Sequence, residues 1–325
     1  MSKILFIGGT GNISLSCVEE AAKAGHDVYV FNRGRSIPES LAGVTQIVGD
    51  MDDDKSYAQL ADQQWDVVAQ FMAFMPAQIQ RDIDIFSGNT GHYIFISSAS
   101  CYQHTADSYI ITELTPTINP HWKYSQNKIE CESVLKSCVN LNWTIVRPSH
   151  TVRTWLPTLI GEDIVWRLLN DRPLLVPGDG NAPWTLTRSE DFAVPFVALM
   201  GVKDAYFEDF HITGDAGFTW DAIYQQIAKS YGKSANIVHV STDTIVAMAP
   251  DFAGPLLGDK AWTTLFDNSK VKKVAGDFSC ETNLENILSG PLEWTKANSS
   301  VSNPSNPELE ATVDRIIAAA LKLGG

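Results

Sequence analysis

Tyr124 and Lys128 stand four residues apart in Tyr124-Ser125-Gln126-Asn127-Lys128, a spacing that puts a phenol and an ammonium on one face of a helix. A cation beside the ring stabilises the phenolate and lowers its pKa by about 1 to 3 from near 10. A phenol tuned in this way trades protons with an alcohol or a carbonyl near neutral pH. The same pair also suits an ordinary amphipathic helix, so the chemistry depends on what the rest of the chain supplies.

Upstream, the apolar strand Ile4-Leu5-Phe6-Ile7 runs into Gly8-Gly9-Thr10-Gly11-Asn12-Ile13-Ser14. A helical pattern follows through Ala24, and Gly25 can end it. This is the strand, turn and helix context of a dinucleotide site. Gly8 permits the tight turn, Gly11 lets backbone approach a pyrophosphate, and the helix N-terminus meets the anion with its partial positive charge. Thr10, Asn12 and Ile13 complete the cradle. Ser14 stands where a third glycine would bring helix and strand together, which predicts a slightly wider contact there. The second strand ends in Phe31-Asn32-Arg33-Gly34-Arg35. About 20 residues past the turn an acid would hold the ribose of NAD, and none is present. Asn32 can bond a hydroxyl, and Arg33 and Arg35 can receive a 2′-phosphate, so NADP is expected ahead of NAD. Solvated turn arginines remain the alternative. Asp50, followed by Met51 after the third strand, can accept from an adenine amino group, or is a plain loop acid.

The elements that must position these groups alternate. Lys3–Ile7, Asp27–Phe31, Thr45–Val48, Val67–Phe71, His92–Ile96 and Trp143–Val146 read as short strands separated by helical patterns. That alternation predicts an α/β fold with a parallel, doubly wound sheet. The 325 residues are 44% hydrophobic and 19% charged, enough for one large or two modest globular domains. A net charge of −14 argues against a surface that tracks nucleic-acid phosphates. No apolar run reaches the roughly 20 residues of a membrane span, and Met1-Ser2-Lys3 leads into a strand without a signal-peptide pattern, so the cytosol is the expected compartment. Five cysteines without C-x-x-C spacing indicate neither a disulfide framework nor a metal site. Asn306 and Pro307 suit the cap and first position of a last helix carrying Val313, Ile316, Ile317 and Leu321.

With these pieces in place, the chain resembles the extended short-chain dehydrogenase/reductases, specifically the NAD-dependent epimerase/dehydratase family. The resemblance rests on the glycine turn, on Phe95-Ile96-Ser97-Ser98-Ala99-Ser100-Cys101-Tyr102, on Tyr124 and Lys128, and on Arg147-Pro148. It implies that Ser98 hydrogen-bonds the substrate oxygen, that Tyr124 moves the proton, and that Lys128 holds the cofactor ribose and tunes the phenol. It also places Phe71, Met72 and Ala73 along the cofactor and Pro148, Ser149 and His150 near its nicotinamide. His150 could relay a proton or touch substrate, but a lone histidine is more often structural. The family architecture implies a Rossmann domain over residues 1–155, with 185–213 returning to it. A smaller α/β substrate domain then takes 156–184 and 214–325.

Departures from the family pattern speak to substrate. Where dehydratases carry an Asp-Glu pair after the catalytic hydroxyl, this chain has Ala99 and Ser100, so elimination of water lacks its acid and base. Where nucleotide-sugar enzymes place an arginine after Gly-Asp-Gly, it has Trp184 after Gly178-Asp179-Gly180, and an indole cannot neutralise a diphosphate. Arg188 could compensate from another angle. Trp155, Trp184, Trp262 and Phe266 fall in or near segments that form the family's substrate lid, which predicts an aromatic pocket, although each taken singly also suits a core. The expectation is an NADP(H)-dependent reductase or dehydrogenase acting on a carbonyl or secondary alcohol of a small, partly apolar molecule. An epimerase that keeps NAD bound, and a non-catalytic nucleotide-sensing or RNA-binding relative, are the alternatives. The resemblance also leaves room for a homodimer.

Overall fold

The computed structural model describes residues 1–34, 38–104, 108–298 and 302–323. Arg35, expected at the cofactor phosphate, lies outside them. Seven parallel strands form the central sheet: β1 (Lys3–Ile7), β2 (Asp27–Asn32), β3 (Thr45–Val48), β4 (Trp65–Gln70), β5 (Thr90–Ile96), β6 (Trp143–Pro148) and β7 (Glu208–Ile212). Their spatial order is β7-β6-β5-β4-β1-β2-β3. The order reverses next to β1, and in open α/β sheets that switch point opens a crevice at the carboxyl ends of the strands.

β1 shows how the layers arise. Ile4 and Phe6 pack on one face with Cys17, Val18 and Ala21 of helix α1 (Ser14–Lys23). Leu5 and Ile7 pack on the other with Ile79 and Phe86 of α2 (Pro76–Phe86) and Cys131 and Leu135 of α3 (Lys123–Lys136). A strand whose successive side chains are all apolar must be covered on both sides. Each large aliphatic group buried in this way stabilises the fold by about 1.5–3 kcal/mol. Helix α4 (Ser189–Ala198) covers the same face as α1 through Phe192 and Phe196, and Ser16 and Ser189 bond across the seam at 2.8 Å.

Between β6 and β7 the chain leaves the sheet. Trp184–Arg188 pairs in parallel with His150–Val152 and antiparallel with Gly217–Phe218, while Leu174–Pro177 pairs in parallel with Ile237–Val240. A second core of Trp184, Trp220, Tyr224, Ile287, Val313 and Ile316, among others, gathers these strands with the C-terminal helices. The last helix, Pro307–Leu323, starts at the expected residue, with Asn306 Oδ1 accepting from the Leu309 amide. The fourth strand begins at Trp65, two residues before its expected start, because the buried Trp65 already donates its amide to the Asn89 carbonyl. No described helix is long and apolar enough to cross a membrane.

Candidate active site

The turn after β1 is built by its own side chains. Gly8 adopts φ +85°, a conformation that favours glycine. Ser14 Oγ donates to the Gly8 carbonyl and accepts from the Gly11 amide at 2.9 Å, so the serine ties the turn internally. Close packing of helix on sheet falls instead to Gly9, where a Cβ would meet Val30 and Val18 at 2.8–2.9 Å. Ser14, where a third glycine would bring helix and strand together, was expected only to widen that contact slightly.

Two cavities meet over this turn and share Gly8, Gly11, Met72 and Phe74. The first, about 390 Å³, is lined by Thr10, Asn32, Arg33, Asp50 and Met51 among others. Asn32 Oδ1 accepts from the Gly34 amide and Gln46, while its buried Nδ2 has no partner. Arg33 is exposed and forms no ion pair among the described residues. An unpartnered amide donor and a free guanidinium at the end of β2 fit a ribose bearing a 2′-phosphate.

The second cavity, about 510 Å³, holds Asn12, Ile13, Phe71, Ser98, Tyr124, Lys128, Pro148, Ser149 and His150. Lys128 is almost fully buried, and its Nζ donates to the carbonyls of Ala73 at 2.7 Å and Ile96 at 2.8 Å, tying the ends of β4 and β5 together. Ala73 takes part through that carbonyl, its side chain being buried. The adjoining loop is pinned from below. Gln70 Oε1 accepts from the Met72 amide at 2.7 Å, and Gln70 Nε2 donates to the buried Asp82, which also accepts from Tyr57 and Tyr93. Ser98 shares hydrogen bonds with Ser100 at 2.8 Å and with the Tyr124 phenol, and Ser100 continues the hydroxyl chain to Ser125 at 2.7 Å.

The electrostatics correct one expectation. Burial pushes Tyr124 up to about 12, opposed by the Ser98 hydrogen bond and reinforced by Cys101 and Asp259. Burial lowers Lys128 to about 8, against the pull of neighbouring Cys131, Cys101 and Glu132. The lysine spends its contacts on backbone carbonyls, so the depressed phenol expected from its proximity is not found in this geometry. The Tyr124 phenol therefore stays protonated at neutral pH. His150, its ring tilted against Trp184 with centroids 4.9 Å apart, is held down to about 3 by burial and is neutral.

The aromatic wall is only partly the expected one. Trp155, Trp184 and Phe266 line the cavity; Trp262 lies outside it, stacked on His104 at 5.7 Å. Arg188 does not line it either, because its guanidinium turns to Glu190 and Asp191 at 3.7 and 3.6 Å. Trp122, Asp259 and Lys260 line it without having been foreseen. Asn119 brings them there: its Nδ2 donates to the Ser100 and Gly258 carbonyls, both at 2.7 Å, and its Oδ1 accepts from the Trp122 amide. No motif marks this staple, since each of its partners is distant in sequence or is backbone. Among the described residues no group of three or more His, Cys, Asp or Glu side chains is arranged to hold a metal.

Residues 8–154, from the glycine turn through β6, match a family described as NAD(P)H-binding. It is 28% identical over 257 residues to the chloroplast stem-loop binding protein of 41 kDa b from Arabidopsis thaliana, a match covering 73% of this chain and 65% of that protein. It is 22% identical over 288 residues to 2′-dehydrokanamycin reductase from Streptomyces kanamyceticus, covering 85% and 80%. In fold it is similar to an epimerase from Methanothermobacter thermautotrophicus, with TM-score 0.74, 16% identity and coverage of 91% and 93%. The UDP-Glc/GlcNAc 4-epimerase from Campylobacter jejuni gives 0.73, 16%, 92% and 100%. With the sheet order, these likenesses show that the chain shares the Rossmann-type α/β fold of solved epimerases.

Proposed function

We propose that the protein is an NADP(H)-dependent oxidoreductase that reduces a carbonyl of a small, partly apolar molecule to a secondary alcohol, or runs the reverse. The observation that carries this reading is the meeting of Ser98, Tyr124 and Lys128 in one cavity that joins the dinucleotide groove at Gly8. A bound nicotinamide supplies or accepts the hydride. Tyr124, protonated at neutral pH, gives its proton to the carbonyl oxygen. Ser98 donates a hydrogen bond to the same oxygen as charge develops on it. Lys128 keeps one N–H beyond its two carbonyl bonds, enough to hold a ribose hydroxyl. Asn32 and Arg33 take the adenosine ribose and its 2′-phosphate. Ala99 and Ser100 leave the site without the carboxylates of a dehydratase, and Trp184 leaves it without a diphosphate clamp.

The reductase named among the relatives supports the direction. A stem-loop RNA partner, suggested by another relative's name, meets a net charge of −14. The working compartment in this proposal is the cytosol, which cell fractionation tests.

Acid extraction of freshly purified protein identifies any retained nucleotide. Protein that comes empty and then binds NADPH more tightly than NADH supports the proposal; stoichiometric bound NAD turns it towards an epimerase that recycles its cofactor. Tyr124→Phe is then expected to lower NADPH-dependent carbonyl reduction by at least about 100-fold with cofactor affinity retained. Full activity in that variant overturns the assignment.

A further inference from the structure

Asp259 faces the same cavity and has no role in the proton and hydride transfer described above. It sits on the π-helical turn Leu256–Lys260, held against the site by the Asn119 staple, and keeps part of its surface open to the cavity. One protein donor reaches its carboxylate, Trp184 Nε1 at the long distance of 3.3 Å. No ion pair contacts it among the described residues: neighbouring Lys260 acts on it through its charge but commits its Nζ to the Thr158 carbonyl at 2.7 Å, and Lys128 commits its own to Ala73 and Ile96. The cavity it faces is lined by Trp122, Tyr124, Trp155 and Trp184, by the neutral ring of His150 and by Lys260. A carboxylate accepts as many as four hydrogen bonds, and one left without a cation in a poorly solvated wall is costly. A neutral hydroxyl would fill its lone pairs and leave the charge, whereas an ammonium neutralises it and also lies well against indole faces.

We propose that Asp259 receives an ammonium group of the substrate, so that the molecule processed at Tyr124 is an amino ketone or amino alcohol. This rests on the oxidoreductase reading for the reaction, but not for the binding. Asp259 also sets orientation: with the ammonium fixed on the Asp259 and Trp184 side, the carbonyl is directed to Ser98 and Tyr124, whose phenol already feels the Asp259 charge.

The test uses three six-membered ketones of similar size: N-methyl-4-piperidone, a cation at pH 7; cyclohexanone, neutral; and 4-oxocyclohexanecarboxylate, an anion. Binding to the full chain is followed by calorimetry and by quenching of the cavity tryptophans, neither of which needs turnover. The piperidone is expected to bind about tenfold more tightly than cyclohexanone. Asp259→Asn should bring the two within about twofold while leaving cyclohexanone binding unchanged, and Asp259→Glu should keep the preference. A stronger hold on the neutral or anionic ketone, or a preference that survives Asp259→Asn, overturns the proposal. If the piperidone is preferred but no NADPH is consumed with it, the ammonium site stands and the reductase reading fails.

Discussion

Replacing Lys128 with methionine isolates one buried charge, and its effect on stability depends on pH in a way the structure fixes. The ammonium is 2% exposed, and burial brings its pKa from the ordinary 10.5 down to about 8. Below pH 8 the folded and unfolded chains both carry the proton, and the folded chain bears the full cost of the buried charge. Between 8 and 10.5 the unfolded chain still holds the proton that the folded chain has lost, so folding stability contributed by this group rises with pH. From pH 7 to 10 the rise works out at about 2.5 kcal/mol. Methionine fills a similar volume and does not titrate. Urea unfolding of both proteins at pH 7, 8, 9 and 10 should therefore show a difference, native minus Lys128→Met, that grows in favour of the native protein by about 2.5 kcal/mol. Titrations of groups that do not interact with Lys128 cancel in that difference. Two stability curves that stay parallel to within about 0.5 kcal/mol would refute the claim that Lys128 is desolvated in the folded chain.

Other expected outcomes follow from single contacts. Arg33→Ala should weaken NADPH binding by about tenfold or more and leave NADH binding nearly unchanged, because only the 2′-phosphate needs a guanidinium; equal losses in a fluorescence titration would remove Arg33 from the cofactor. Arg147→Met breaks the buried pairing of the guanidinium with Glu132 and Asp209 at 2.6–2.8 Å and should cost about 3–5 kcal/mol in urea unfolding, since the buried Glu132 is left with Lys136 alone, at 3.8 Å; a loss under about 1 kcal/mol would show that water, Lys136 or rearrangement replaces it. Gly8→Ala forces a side chain into φ +85° with its Cβ 2.2 Å from Met72, and should cost about 1–3 kcal/mol together with dinucleotide binding, measured by thermal melting with and without NADPH.

The sheet was legible because β1 and the middles of β2, β4, β5 and β6 are short runs of mostly apolar side chains, as strands covered on both faces require, alternating with helical patterns. The glycine turn and the Tyr124/Lys128 pair were legible because their function depends on spacing along one element. What the sequence concealed depends on contacts between elements. Ser14 turned out to be a strut across the turn, a role set by where two backbone groups point. The phenol of Tyr124 was expected to be tuned by its neighbour four residues on, but Lys128 is drawn away by the carbonyls of Ala73, just past β4, and Ile96, at the end of β5, which lie 55 and 32 residues distant in the chain. Asp259 reaches the cavity through Asn119, 140 residues earlier, and neither residue belongs to a recognisable pattern. Arg188 sits close in sequence to the expected clamp, yet local acids at positions 190 and 191 hold it elsewhere.

The placement of β7 has a consequence for how the chain comes into being. Its Asp209 meets Arg147 of β6 across 62 residues of sequence, and among the described residues β7 is the strand that covers the outer edge of β6. At about 5–20 residues per second a ribosome needs roughly 3–12 s to make that stretch. Through this interval six strands can assemble with β6 as a bare edge, a template for pairing with another nascent chain. Crowded translation on one messenger, rather than heating of the finished protein, is then the condition under which this fold is most exposed to aggregation.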